Sequence, residues 1–100
     1  MTLKKHVSDN KITIVIQDRF DFSIHQHFRD AYCDCNESGS EIIIDLSQTT
    51  YMDSSALGMI LLLKDHVDKI SGKMKIFKPN EAVNKILEIA QFHRLMTIEK

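Results

Sequence analysis

The sequence predicts an α/β fold, a mixed and mostly parallel sheet of four to five strands with about three main helices. Segments with apolar residues at every second position alternate with segments in which they recur at three- and four-residue steps. Parallel neighbouring strands need a crossover connection, usually a helix, which this alternation supplies. The 100 residues suffice for one core but not two, so residues 1–100 are expected to form a single domain.

The first half of the chain is expected to contribute three strands and a helix. Residues 11–17 alternate as a strand, and residues 2–7 form an edge strand across a turn at residues 8–10. Ser23 and Gln26 have the capping-box spacing of a helix start. An apolar stripe then predicts a helix ending near Gly39, formed by Ile24, Phe28, Ala31 and Cys35. The β-branched run in residues 41–46 favours a central strand buried on both faces.

The second half is expected to contain two helices and two strands. Residues 47–51 read as a polar connection, and a long helix follows from Asp53 to the Ser-Gly pair at residues 71–72. Its apolar stripe comprises Ala56, Ile60, Leu63, Val67 and Ile70. Residues 73–78 alternate as a strand, residues 79–80 open a third helix, and residues 95–98 form a last short strand. The inward face of the third helix is predicted to hold Ala82, Val83, Ile86, Leu87 and Ala90.

Charge and hydropathy exclude several classes of function. Thirteen basic and fourteen acidic residues leave a net charge of -1, whereas nucleic-acid binding needs clustered Lys and Arg. The longest unbroken apolar run, residues 59–63, is far short of the ~20 residues of a membrane span. The first ten residues lack the apolar core of a signal peptide. We therefore expect a cytoplasmic protein with no nucleic-acid partner and no membrane insertion.

Enzyme, metal and cofactor sites are not expected. His25 and His27 are two residues apart on a predicted helix and point to different sides, whereas zinc-binding helices use a four-residue spacing. Cys33 and Cys35 lack a Cys-x-x-Cys pattern or a basic cluster that would activate a thiol. A serine nucleophile remains an alternative, although the chain lacks Gly-x-Ser-x-Gly and a glycine-rich phosphate loop. Labelling by an active-site serine probe would support it.

The segment most suggestive of function leads from the predicted central strand into the long helix. Asp53, Ser54 and Ser55 stand at the helix start, where one such residue suffices as a cap. Leu57, Met59 and Leu62 lie off or beside the main apolar stripe of the helix. Capping and burial under a neighbouring helix would explain these features, and so would a partner surface beside a modifiable serine.

These residues resemble a known family. The sequence Asp-Leu-Ser at residues 45–47 and Tyr-Met-Asp-Ser-Ser-Ala-Leu-Gly at residues 51–58, followed by a Leu-rich helix, is similar to the signature of STAS domains, specifically bacterial anti-sigma factor antagonists. The resemblance covers essentially the whole chain. Ala56 departs from the pattern, since many members carry Gly there, but the serines are retained.

The resemblance implies partner switching without cofactors or catalysis. An unphosphorylated antagonist binds an anti-sigma factor, often a serine kinase of the Bergerat ATP-binding type, and releases its client. Phosphorylation of the first serine after the Asp, here Ser54 and less plausibly Ser55, breaks the complex, and a metal-dependent serine phosphatase restores it. The free protein is expected to be a monomer, and the implied partner surface comprises Asp21, Tyr51, Asp53, Ser54, Ser55, Leu57, Met59 and Leu62. A STAS subunit of a membrane transporter complex, using the same helix as a static docking surface, remains the alternative.

Overall fold

A computed structural model describes residues 3–33, 35 and 37–100. These residues form strands β1 to β7 and helices α1 to α3 in the order β1 (Leu3–Ser8), β2 (Lys11–Ile16), β3 (Asp18–Phe20), α1 (His25–Tyr32), β4 (Glu41–Asp45), β5 (Thr49–Met52), α2 (Ser54–Lys69), β6 (Lys73–Phe77), α3 (Glu81–Ile89) and β7 (Thr97–Glu99). Short 3₁₀ turns precede α1 at Phe22–Ile24 and follow α3 at Phe92–Arg94.

The main sheet has five strands in the order β1-β2-β4-β6-β7. Strand β1 is antiparallel to β2, and the remaining neighbours pair in parallel. Each of the three parallel connections carries one of the three α-helices, as crossover geometry requires. The predicted mixed, mostly parallel sheet with three main helices is therefore confirmed.

The hydrophobic core lies against one face of this sheet. Ile42 and Ile44 of β4 are fully buried, whereas Ile43 between them is only half-buried. Successive side chains of a strand point to opposite faces, so this alternation assigns the core to a single face. The expectation that residues 41–46 are buried on both faces is therefore wrong. The helices close the core with fully or nearly fully buried side chains from α1, α2 and α3, among them Phe28, Ile60, Leu63 and Leu87.

The first helix begins and ends differently from the prediction. Asp21 caps the preceding 3₁₀ turn, so Ser23 lies inside that turn and is not the cap of a capping box. The α-helix ends at Tyr32 instead of near Gly39, and Cys35 is buried outside it. The apolar spacing continues past the helix because Cys35 reaches the same core from irregular backbone. The predicted segment also includes positions 34 and 36, and the predicted edge strand includes position 2; these three lie outside the described residues.

A second, two-stranded sheet was missed by the sequence analysis. Residues 47–51, interpreted as a polar connection, contain most of β5, which pairs in parallel with β3. Thr49 is buried, and its hydroxyl donates a hydrogen bond to the Ile16 carbonyl oxygen at 2.8 Å. The sequence analysis did not recognise this strand from its hydroxyl and aromatic side chains. Its partner strand is about 30 residues away, and local periodicity does not indicate pairing with a distant segment.

In the last part of the chain the structure differs less from the prediction. Asn80 caps α3, accepting from the Val83 amide through its side chain at 2.8 Å. Val83 and Leu87 are buried as predicted, but Ala82 is exposed and was wrongly assigned to the inward face. Strand β7 starts two residues later than expected, because the chain first makes the 3₁₀ turn that buries Phe92.

Candidate functional site

The site is built on two neighbouring strand-to-helix connections. Strands β3 and β5 run parallel with Phe20 opposite Met52, so that Asp21 and Asp53 follow at corresponding positions. Asp21 Oδ1 accepts from the Ser23 amide at 3.0 Å and the Ser23 hydroxyl at 2.5 Å. Asp53 Oδ1 accepts from the Ser55 amide and hydroxyl at the same two distances. The small sheet thus places two Asp-x-Ser caps of the same geometry side by side.

The two serines at the start of α2 have different environments. Asp53 also accepts from the Ala56 amide at 3.2 Å, so that it satisfies two of the free amides at the helix start. The half-buried Ser55 has its hydroxyl engaged by Asp53. Ser54 is exposed, and among the described residues its hydroxyl has no hydrogen-bond partner. Ser54 is therefore free to be modified without breaking the cap.

Helix α2 gives Ser54 a favourable position for a negative charge. Ser54 is the first residue of a 16-residue helix, where the aligned peptide dipoles are equivalent to about half a positive charge. A phosphate at such a position is stabilised by a few tenths to about 1 kcal/mol. The local geometry suits a phosphoryl acceptor.

An aromatic and charged rim flanks the two caps. The Arg19 guanidinium carbon lies 4.4 Å from the centre of the exposed Tyr51 ring, and Arg19 Nε donates to Asp21 Oδ2 at 3.1 Å. The hydrogen bond from the Ser23 hydroxyl and then that from Arg19 hold the pKa of Asp21 below its ordinary value. Tyr51 and Asp21, both predicted at the partner surface, are thus brought together beside Asp53.

Phe22 is a candidate contact residue that the sequence analysis missed. It occupies in its Asp-x-Ser cap the place that Ser54 occupies in the other. Its ring is 63% exposed and stacks on the His25 ring at a centroid distance of 4.3 Å and an angle of 6°. The repeated Asp-x-Ser spacing at residues 21–23 and 53–55 was the available signal.

The outward face of α2 carries a short apolar stripe after Ser54. Leu62 is 66% exposed, and Leu61 beside it is also exposed. Leu57 is half-buried and packs partly against the core. Met59, by contrast, is only 6% exposed and belongs to the core, so the expectation that it lies on an accessible surface is wrong. Sequence periodicity underestimated how much of α2 its neighbours bury.

A cleft of about 1270 Å³ lies away from Ser54. It is lined by residues from the C-terminal part of α2, β6, α3 and the segment that follows α3, such as Lys64, Met74, Asn84 and Arg94, and by none of the cap residues. Over residues 3–33, 35 and 37–100 no group of three or more His, Cys, Asp or Glu side chains is arranged to hold a metal. Within the same ranges every helix falls short of the length and apolar character needed to cross a bilayer.

Comparison with known proteins identifies relatives over nearly the whole chain. The STAS domain family matches residues 2–100. A STAS-domain containing protein of Pseudomonas aeruginosa is 44% identical over 88 residues, which cover 88% of this chain and 87% of that protein.

Solved structures share the fold. The anti-sigma factor antagonist SpoIIAA in its unphosphorylated form superposes with a TM-score of 0.83 at 17% identity, covering 98% of this chain and 88% of that one. The Bacillus cell fate determinant SpoIIAA in the phosphorylated form superposes with a TM-score of 0.71 at 16% identity, covering 98% and 91% of the two chains.

Proposed function

The chain belongs to the STAS domain family, and we propose that it acts as an anti-sigma factor antagonist in a partner-switching pathway. In this proposal the unphosphorylated protein binds an anti-sigma factor that is also a serine kinase of the Bergerat ATP-binding type. The kinase phosphorylates Ser54, the complex dissociates, and a metal-dependent serine phosphatase regenerates the binding form. The protein acts in the cytoplasm as a free monomer and is a substrate, not an enzyme.

One observation carries the proposal: Ser54 is exposed with a free hydroxyl, while its neighbours hold the helix cap. A kinase needs an accessible hydroxyl, and a reversible switch needs a fold that survives the modification. Asp53 and Ser55 provide the second condition, because their hydrogen bonds do not involve the Ser54 side chain. SpoIIAA has been solved in an unphosphorylated and a phosphorylated form, and both superpose on this chain.

The physical basis of the switch is local charge and volume. A phosphate would take the formal net charge of the protein from -1 to about -3. A partner surface packed against the neutral Ser54 hydroxyl would then face a bulky dianion next to the Asp53 carboxylate. A loss of about 3 kcal/mol there weakens binding roughly a hundredfold, since each 1.4 kcal/mol is a factor of ten. No large conformational change is needed.

The test compares Ser54 variants as baits in cells of the native host. Wild type and Ser54→Ala are expected to recover a serine kinase, and Ser54→Asp to lose it. The purified kinase should place phosphate on Ser54 of the wild type and none on Ser54→Ala. Ser55→Ala is the matched control, because it alters the adjacent hydroxyl but leaves the acceptor in place.

Two results would contradict the proposal. Equal recovery of the same partners by the Ser54→Ala and Ser54→Asp baits, with no phosphate on Ser54 or Ser55, would exclude the switch. Recovery of an ATP-binding transport subunit in place of a kinase would instead support a static role in a transporter complex.

A further inference from the structure

Gly58 lies in the interior of α2 at a position where glycine is unfavourable. It is exposed, and α2 continues for 11 residues beyond it. Glycine is the poorest helix former after proline, because its backbone loses the most conformational freedom on folding. Helix propensity therefore does not explain a glycine at this position, and a steric reason would.

The rest of this domain provides no such reason. A Cβ atom built on Gly58 would meet no atom of the described chain within 4 Å, apart from the neighbouring helix backbone. The other two glycines are required by the fold. A Cβ on Gly72 would lie 2.4 Å from the Ser40 carbonyl oxygen, and Gly39 has a φ of +82°. Among the described residues, Gly58 is therefore the one glycine that neither a close contact nor a positive φ explains.

The position of Gly58 relates it to the candidate switch. It follows Ser54 by four residues on the same face of α2, and Leu61 and Leu62 come one turn later. One turn of helix rises about 5.4 Å, so a partner segment that covers the Ser54 hydroxyl extends over Gly58 as well. The exposed leucines beyond it offer apolar surface to the same segment.

We propose that Gly58 is the point at which the regulator packs directly on the backbone of α2. This inference rests on the proposed function, and the regulator is the kinase that phosphorylates Ser54. Because Gly58 has no Cβ, the partner can approach the helix backbone more closely there than at any other turn on the outward face of α2. A methyl group at Gly58 would hold the two surfaces apart and weaken contacts at Ser54 and Leu62 together.

The test is Gly58→Ala, measured for stability and for affinity toward the purified kinase that phosphorylates Ser54. We expect the melting temperature to rise by about 2 to 8 °C, because alanine favours the helix and meets free space. The affinity should fall about tenfold or more, and Gly58→Leu should lower it further. Ile89→Ala is the control, since it removes an exposed apolar side chain from α3, away from the stripe, and should leave affinity unchanged.

Each contrary outcome has a definite meaning. Unchanged kinase affinity in Gly58→Ala would overturn the inference, and so would a lower melting temperature, because the fold itself would then need the glycine. If the wild type binds the kinase and Ser54→Asp does not, while Gly58→Ala binds like the wild type, only this inference fails. If Ser54→Asp also binds like the wild type, the proposed function fails first.

Discussion

Replacing Asp53 with alanine tests the division of roles at the start of α2. The substitution removes the acceptor of three hydrogen bonds, from the Ser55 amide at 3.0 Å, the Ser55 hydroxyl at 2.5 Å and the Ala56 amide at 3.2 Å. Loss of an N-cap side chain costs about 0.5–2 kcal/mol. The hydroxyl of the half-buried Ser55 also loses its partner, so we expect a cost of about 1–2 kcal/mol, above the low end of that range.

The assay is thermal unfolding at neutral pH, monitored by calorimetry. In a domain of this size about 1 kcal/mol corresponds to roughly 4–8 °C, so Asp53→Ala should lower the melting temperature by about 4 to 16 °C. Asp53→Asn should recover most of this loss, because asparagine caps about as well as aspartate. Ser54→Ala should change the free energy of unfolding by no more than about 0.5 kcal/mol, since it removes an exposed hydroxyl without a partner.

Two outcomes would refute this reasoning. A melting temperature of Asp53→Ala within about 2 °C of the wild type would mean that the cap contributes little to stability. An equally large loss in Ser54→Ala would mean that the Ser54 hydroxyl is part of the structure. It could then not be the free acceptor that the proposed switch requires.

Two further predictions concern other parts of the fold. Gly72→Ala should destabilise the protein by about 1–3 kcal/mol in denaturant unfolding, because its Cβ would lie 2.4 Å from the Ser40 carbonyl oxygen; an unchanged midpoint would contradict that contact. Asp21 should titrate by NMR below the ordinary aspartate pKa, since the ionised form accepts from Ser23 and Arg19, and Ser23→Ala should move its pKa upward. Because the folded pKa is the lower one, this group stabilises the fold above its unfolded pKa, and that contribution is lost as the pH falls through the folded pKa. A pKa of Asp21 that is the same with and without the Ser23 hydroxyl would show that this hydrogen bond is not the main cause.

Elements with strong local signals were predictable. Helix α2 has a long apolar stripe, an acidic cap and a Ser-Gly end, and all of them follow from nearest-neighbour backbone and side-chain preferences. The Asp-Ser-Ser sequence likewise indicated the cap region, although the sequence did not show which hydroxyl the cap engages. The structure decides this through the short bond between Ser55 and Asp53.

Features that depend on distant segments were not predictable in the same way. The pairing of β3 with β5 joins segments about 30 residues apart and places Asp21, Phe22 and Arg19 beside Asp53. No periodicity within either segment reports such a pairing, since it is stabilised by contacts that exist only after the chain has folded.

The sequence by itself determined the order of the three helices and of the five strands of the main sheet, the single core and the location of two serines at a helix start. Only the tertiary structure decided which apolar side chains of α2 remain accessible. Met59 and Leu62 both lie off the predicted stripe, yet the first is buried in the core and the second is exposed. The reason is that burial depends on which neighbouring elements cover each side of the helix, and those neighbours are brought there by long-range packing.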